Sequence, residues 1–178
     1  TLTDSIVSGN AGTNSNGGAI WTGGNASLAV VATRFLDNQA GDGGGAIAVA
    51  DGSVSVAQSS FSGGSALNGG GILAAGGTTE ITGSTFTANT ASSHGGALFV
   101  NGTVSLTNVT MSGNSSNGVG AVANNGTLTI LSSTLVGNVS LDGFAGAVFN
   151  ASGTTTVKNS VLAASTAGAG DVAGSFTS

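Results

Sequence analysis

The sequence has no cysteine, no proline and only two basic residues, Arg34 and Lys158. Without cysteine there is neither a disulfide framework nor a thiolate metal site. Two cations and a net charge of −5 argue against a nucleic-acid partner, which needs several positive groups per site. Charged residues make up 5 % of the chain, a low value that often accompanies disorder, yet apolar residues reach 39 % and argue for a packed core. No apolar run approaches the ~20 residues of a transmembrane segment. The N-terminus carries no basic-then-apolar leader, so an export signal is expected to be removed or to lie elsewhere. What fills the chain is glycine, 33 residues of it, together with Ser, Thr and Asn. That composition is commoner in extracellular and cell-surface proteins than in cytosolic enzymes.

The stretch Ser84 to Gly102, STFTANTASSHGGALFVNG, recurs along the whole sequence. An apolar column runs Val7, Phe35, Phe61, Phe86, Met111, Leu135 and Leu162, with spacings of 28, 26, 25, 25, 24 and 27 residues. Three residues on stands an amide column, Asn10, Asn38, Asn89, Asn114 and Asn138, interrupted by Gly64 and ended by Ser165. A glycine column runs Gly18, Gly45, Gly71, Gly96, Gly120, Gly146 and Gly170, followed two residues later by Ile20, Ile47, Leu73, Leu98, Val122, Val148 and Val172. Another apolar column, Leu2, Val30, Val56, Ile81, Leu106, Ile130 and Val157, precedes the Phe column.

Within each repeat apolar and polar residues alternate, as in Val54-Ser55-Val56 and Leu128-Thr129-Ile130, which is the pattern of strand. Each repeat reads as two or three short strands joined by Gly- and Asn-rich corners. A unit of ~25 residues cannot close a core by itself and must stack on its neighbours. The expected fold is all-β: a right-handed parallel β-helix of seven coils, residues 1–178 forming one domain, uncapped at both ends. At about 4.8 Å per coil the rod is roughly 34 Å long. Equivalent residues then lie above one another. The Phe column becomes an internal stack, the Asn column an amide ladder, and the glycines clear corners where a side chain would strike the next coil.

Repeated GGAI and FxxN motifs stand at Gly17–Ile20, Gly44–Ile47, Phe35–Asn38 and Phe86–Asn89, with GGAL at Gly95–Leu98 and VSGN, MSGN and LVGN elsewhere. In these the chain resembles the repeats of the chlamydial polymorphic outer membrane proteins and related surface β-helix proteins. The resemblance implies a right-handed parallel β-helix, export and an adhesin-like passenger role, although this sequence lacks that family's membrane-anchoring barrel.

No catalytic, cofactor-binding or metal-binding set is expected. The acids Asp4, Asp37, Asp42, Asp51, Glu80, Asp142 and Asp171 fall in different columns or distant coils, whereas lyases and glycosidases of the β-helix type need converging carboxylates. The sole histidine, His94, reads as a loop residue. Asn25, Asn101 and Asn125 are candidate glycosylation sites at outer loops. Trp21, Phe99 and Phe149 share one column and form a contact stripe if the preceding Ile/Leu/Val position points inward; with the pleat reversed they are core. Outward Ser and Thr columns leave a glycan- or ice-binding face as an alternative, interrupted by Glu80, Lys158, Val31 and Leu131. A degenerate polysaccharide lyase or hydrolase is a further alternative. The expected partners are other copies stacked end to end or a continuation of the same rod, with host-surface or glycan ligands on its sides.

Overall fold

A computed structural model of the chain describes residues 1–177. Among these residues every strand pairing is parallel, and each strand bonds to its equivalents in the adjacent coils, the end strands on one side only. The coil has four strands rather than two or three, because short segments on either side of the glycine corners also pair. Four sheets result. Sheet A comprises Leu2–Thr3, Ser27–Val31, Ser53–Ala57, Thr78–Thr82, Thr103–Thr107, Thr127–Leu131 and Thr154–Lys158. Sheet B carries the Phe column, for example Thr85–Thr87. Sheet C has six strands and includes Thr90–His94. Sheet D has seven three-residue strands, among them Ile72–Ala74 and Leu98–Val100.

Alternation decides which side chains enter. In Ser53–Ala57, Val54 and Val56 are buried while Ser53 and Ser55 face solvent. In sheet B the expected column is in register from Val7 to Leu162. The rings of Phe35, Phe61 and Phe86 stack with centroids 4.8 and 4.6 Å apart and planes within 6°. One coil's rise is thus also one aromatic stacking distance, so identical residues pack without a change of rotamer.

Two corners of every coil use one residue in the left-handed region. Between sheets A and B it is Asp4, Ala32, Gln58, Gly83, Asn108, Ser132 or Asn159, with φ between 45° and 54°. Between B and C it is Gly9, Asp37, Gly63, Ala88, Gly113, Gly137 or Ala164. The corner into sheet D divides its work between adjacent glycines. Gly95 takes φ 68°, whereas Gly96 lies so close to the next coil that a Cβ would stand 2.4 Å from the Gly120 carbonyl oxygen.

The third coil corrects the glycine column. Gly43 pairs with Asn68, and Ile72, not Leu73, pairs with Ile47 and Leu98. The residue equivalent to Gly45 and Gly96 is therefore Gly70. Gly71 falls in the inward alanine column with Ala46 and Ala97, against the Phe86 ring. The slip arises in sheet C, where the register shifts between Ala66 and Asn68. Gly170 also differs from its column-mates: it has φ 81° and open space where its Cβ would be.

The last coil, expected from sequence to be uncapped, is partly covered. After Val172–Gly174 the chain returns to sheet A, where Thr177 bridges to Thr156 and accepts a hydrogen bond from the Val157 N–H at 3.2 Å. Phe176 packs against the core and lines an open cavity of about 560 Å³ with Val157, Leu162 and Val172.

Candidate functional site

Amides run down the corner between sheets B and C, exposed at Asn10 and buried from Asn38 to Asn138. The N–H and Nδ2 of Asn10 both donate to Asn38 Oδ1, at 3.1 and 2.8 Å. Asn89 donates likewise to Asn114, and Asn114 to Asn138. Each remaining Nδ2 hydrogen goes to a sheet B carbonyl: Asn38 to Val7, Asn89 to Phe61, Asn114 to Phe86 and Asn138 to Met111. At the break, Gly64 keeps its backbone N–H on Asn89 Oδ1, 2.9 Å away. The ladder ends at Ser165, whose N–H turns to the Asp171 carboxylate at 2.9 Å.

A second ladder, of hydroxyls, escaped the sequence reading. It occupies the corner between sheets A and B at Ser5, Thr33, Ser59, Ser84, Ser133 and Ser160, with Val109 in the gap. Each hydroxyl donates to the carbonyl two residues earlier, as Ser59 does to Ala57 at 2.8 Å. The hydroxyls of Ser59, Ser84, Ser133 and Ser160 also accept from the coil before, as Ser84 Oγ does from the Ser59 N–H at 3.0 Å. The signal was present as a serine or threonine two residues before the Phe column, but Ser at a corner is too common to stand out. A short third ladder joins Asn124 Nδ2 to Asn150 Oδ1 at 3.0 Å and to Thr155 Oγ1 at 2.9 Å. Both Asn124 and Asn150 are buried.

The outward surface is chemically simpler. Because Ile20, Ile47, Ile72, Leu98, Val122 and Val148 face the core, the next residue in each strand of sheet D faces out. This outward column is Trp21, Ala48, Leu73, Phe99, Ala123, Phe149 and Ala173, with Leu73 where the uncorrected register puts Ala74. Trp21 is 59 % exposed. Ala48 and Ala123, between larger neighbours, are almost wholly screened. Around Ala123 the column opens into a notch of about 240 Å³, walled by Phe99 and Phe149 and edged by His94, Asn125 and Ala151. Phe144, arriving from a loop, sets its ring 5.5 Å from Phe149 and 6.4 Å from His94.

His94 is held by Ser93, whose Oγ lies 2.6 Å from Nδ1. Among the described residues no three His, Asp or Glu side chains come together. Asp42 is exposed at the corner entering sheet D, and Asp51 bonds its own neighbour Gly52. A shallower groove of about 430 Å³ crosses sheet C, lined by Ser65, Thr90, Ser92 and Asn117 with Leu67 and Leu141 at its rims. Asn25, Asn101 and Asn125 are all exposed, and Asn125 Nδ2 donates to Asn101 Oδ1 at 3.1 Å. Among the described residues no helix is long and apolar enough to cross a membrane.

A family model described as "Right handed beta helix region" matches residues 20–177. No curated protein and no solved structure matches the chain. With the match beginning at the last strand of the first coil and running through all the coils after it, and with four parallel sheets wound in register, the chain belongs to the right-handed β-helix family.

Proposed function

We propose that the chain is a non-catalytic, exported structural or adhesive rod, as a segment of a longer surface protein or as a subunit stacking end to end. The observation that carries this reading is the direction of its side chains. Buried Asn, Ser and Thr side chains are hydrogen-bonded along the axis in ladders, while the outward column of sheet D is apolar. Polar groups engaged with the next coil hold the rod together; apolar groups facing water suit contact with another surface. The GGAI and FxxN resemblance to chlamydial polymorphic outer membrane protein repeats points the same way.

A second reading has its own observation. Sheet A presents outward hydroxyls in register at Ser53, Thr78, Thr103, Thr127 and Thr154. That face suits a hydroxyl-rich ligand such as a glycan, with Glu80 and Lys158 as interruptions.

The test has two arms. The purified chain is imaged by electron microscopy, and it is incubated with acidic and neutral polysaccharides, with and without calcium. The rod reading expects extended particles or filaments and binding without cleavage. Release of new sugar ends that scales with protein concentration would replace it with a catalytic one.

A further inference from the structure

We infer that the outward column of sheet D is a self-recognition surface: a second copy packs antiparallel across it, each Trp21 entering the other's Phe99–Ala123–Phe149 notch. Unlike end-to-end stacking, this pairing is lateral, and it does not depend on whether the rod adheres to anything else.

The notch is built for an aromatic ring. Phe99 and Phe149 both pair with Ala123, so their backbones stand two coils, about 9.6 Å, apart. A ring inserted midway lies about 4.8 Å from each phenylalanine, inside the range of favourable aromatic pairs. Trp21 is the chain's single tryptophan and the most exposed large aromatic on the same face. An indole entering a closed site also needs an acceptor for its N–H. Asn125 Oδ1, at the notch edge, has no donor among the described residues, because Asn125 uses its Nδ2 toward Asn101.

Symmetry then fixes the rest. Trp21 is in the first coil and Ala123 in the fifth, so a two-fold axis across the face pairs coils whose numbers sum to six. Such an isologous contact forms the Trp21 insertion twice. It sets Leu73 against its own copy on the axis and Phe99 opposite Ala48. It also brings Asp42, at the entrance to sheet D in the second coil, opposite His94 in the fourth. Shifting the register by two coils would instead oppose Asp42 to Asp142. A parallel arrangement would set Trp21 against Trp21. Size and shape thus agree on one register, and that register keeps Asp42 away from Asp142. Five coils over a strip about 15 Å wide bury on the order of 400 Å² per copy, which places the contact among weak, reversible associations.

The test is sedimentation velocity of the whole chain over a wide concentration range, with tryptophan emission read from the same samples. The expected result is a monomer–dimer equilibrium in which emission moves to shorter wavelength as dimer forms. Ala123→Trp, which fills the notch from its floor, weakens association by about thirtyfold or more, with circular dichroism checking that the fold is kept. Leu73→Cys, the only thiol in the chain, couples to itself through a short bismaleimide of about 10 Å reach, the spacing of facing sheets, whereas Ala173→Cys does not. A monomer at every concentration overturns the inference. So does unchanged emission in the dimer, undiminished pairing of Ala123→Trp, or equal coupling through both cysteines. An emission shift that follows added oligosaccharide at constant monomer mass would overturn it too, assigning the exposed Trp21 to a sugar.

Discussion

Asn89 gives two hydrogen bonds, from its backbone N–H and from Nδ2, to the one side-chain oxygen of Asn114, at 3.1 and 2.9 Å. Asn114 in turn donates to Phe86 O and to Asn138 Oδ1, each at 3.0 Å. A single side chain therefore ties its own coil to the one before and the one after. Replacing Asn114 by Ala orphans buried donors above it and acceptors beside it, a loss of about 3 kcal/mol or more. Asn10→Ala, at the exposed first coil, costs under about 1 kcal/mol because water replaces the amide. Urea unfolding of the two variants side by side measures the difference.

Filling the gap in the ladder should fail. Gly64→Asn restores the column on paper, but a Cβ there would stand 2.4 Å from the Gly70 carbonyl oxygen. The backbone must shift, and the variant is expected to lose about 2 kcal/mol rather than gain stability. A rise in melting temperature would show that the third coil has room that its backbone does not display.

The corrected register has its own consequence. A Cβ at Gly70 meets the Thr90 and Gly96 carbonyl oxygens at 2.3 and 2.4 Å, whereas one at Gly71 meets nothing nearer than 2.8 Å. Gly70→Ala should therefore unfold at much lower denaturant than Gly71→Ala, by a difference of about 2 kcal/mol. The reverse order would restore Gly71 to the corner column.

The sequence discloses most where a column holds one kind of residue. Phe35, Phe61 and Phe86 are visible as a stack because no other positions carry phenylalanine at that spacing, and the sheets put them there. Gly69, Gly70 and Gly71 hide a one-residue slip because any of the three satisfies the pattern, and only pairing in sheet C decides among them. The outward direction of Trp21 and Phe149 rests on the pleat of three-residue strands, too short for alternation to be read. Phe144 reaches the notch through a loop, outside any periodic column, so its ring contact with Phe149 has no signature in spacing.

Ala88 occupies the left-handed corner position at φ 53°, where Gly63 and Gly113 stand in the neighbouring coils. An alanine there carries roughly 1 kcal/mol of strain, offset in part by the greater unfolded-state entropy of glycine. Ala88→Gly is expected to leave stability unchanged or raise it by up to about 1 kcal/mol. Ala91→Gly, in a buried strand position three residues on, should cost about 1 kcal/mol. Thermal melts of both variants check the contrast.

Val109 interrupts the hydroxyl ladder and denies the Ser84 N–H the side-chain acceptor that the Ser59 and Ser133 N–H groups have. Val109→Thr keeps one methyl in the core and offers that acceptor, a gain of about 0.5–1 kcal/mol. Val109→Ala, which loses the methyls and supplies nothing, should cost about 1–2 kcal/mol. Equal losses in the two variants would argue that the corner does not need the bond.

Polar side chains build this rod from within, and side-chain amide hydrogen exchange followed by NMR measures their engagement directly. The Nδ2 hydrogens of Asn89, Asn114 and Asn138 should exchange only as fast as the whole coil opens, while those of the exposed Asn25 and Asn101 exchange at the rate of free amides. Rapid exchange at Asn89 and Asn114 would contradict the ladder, and with it the reading of these residues as the rod's internal support.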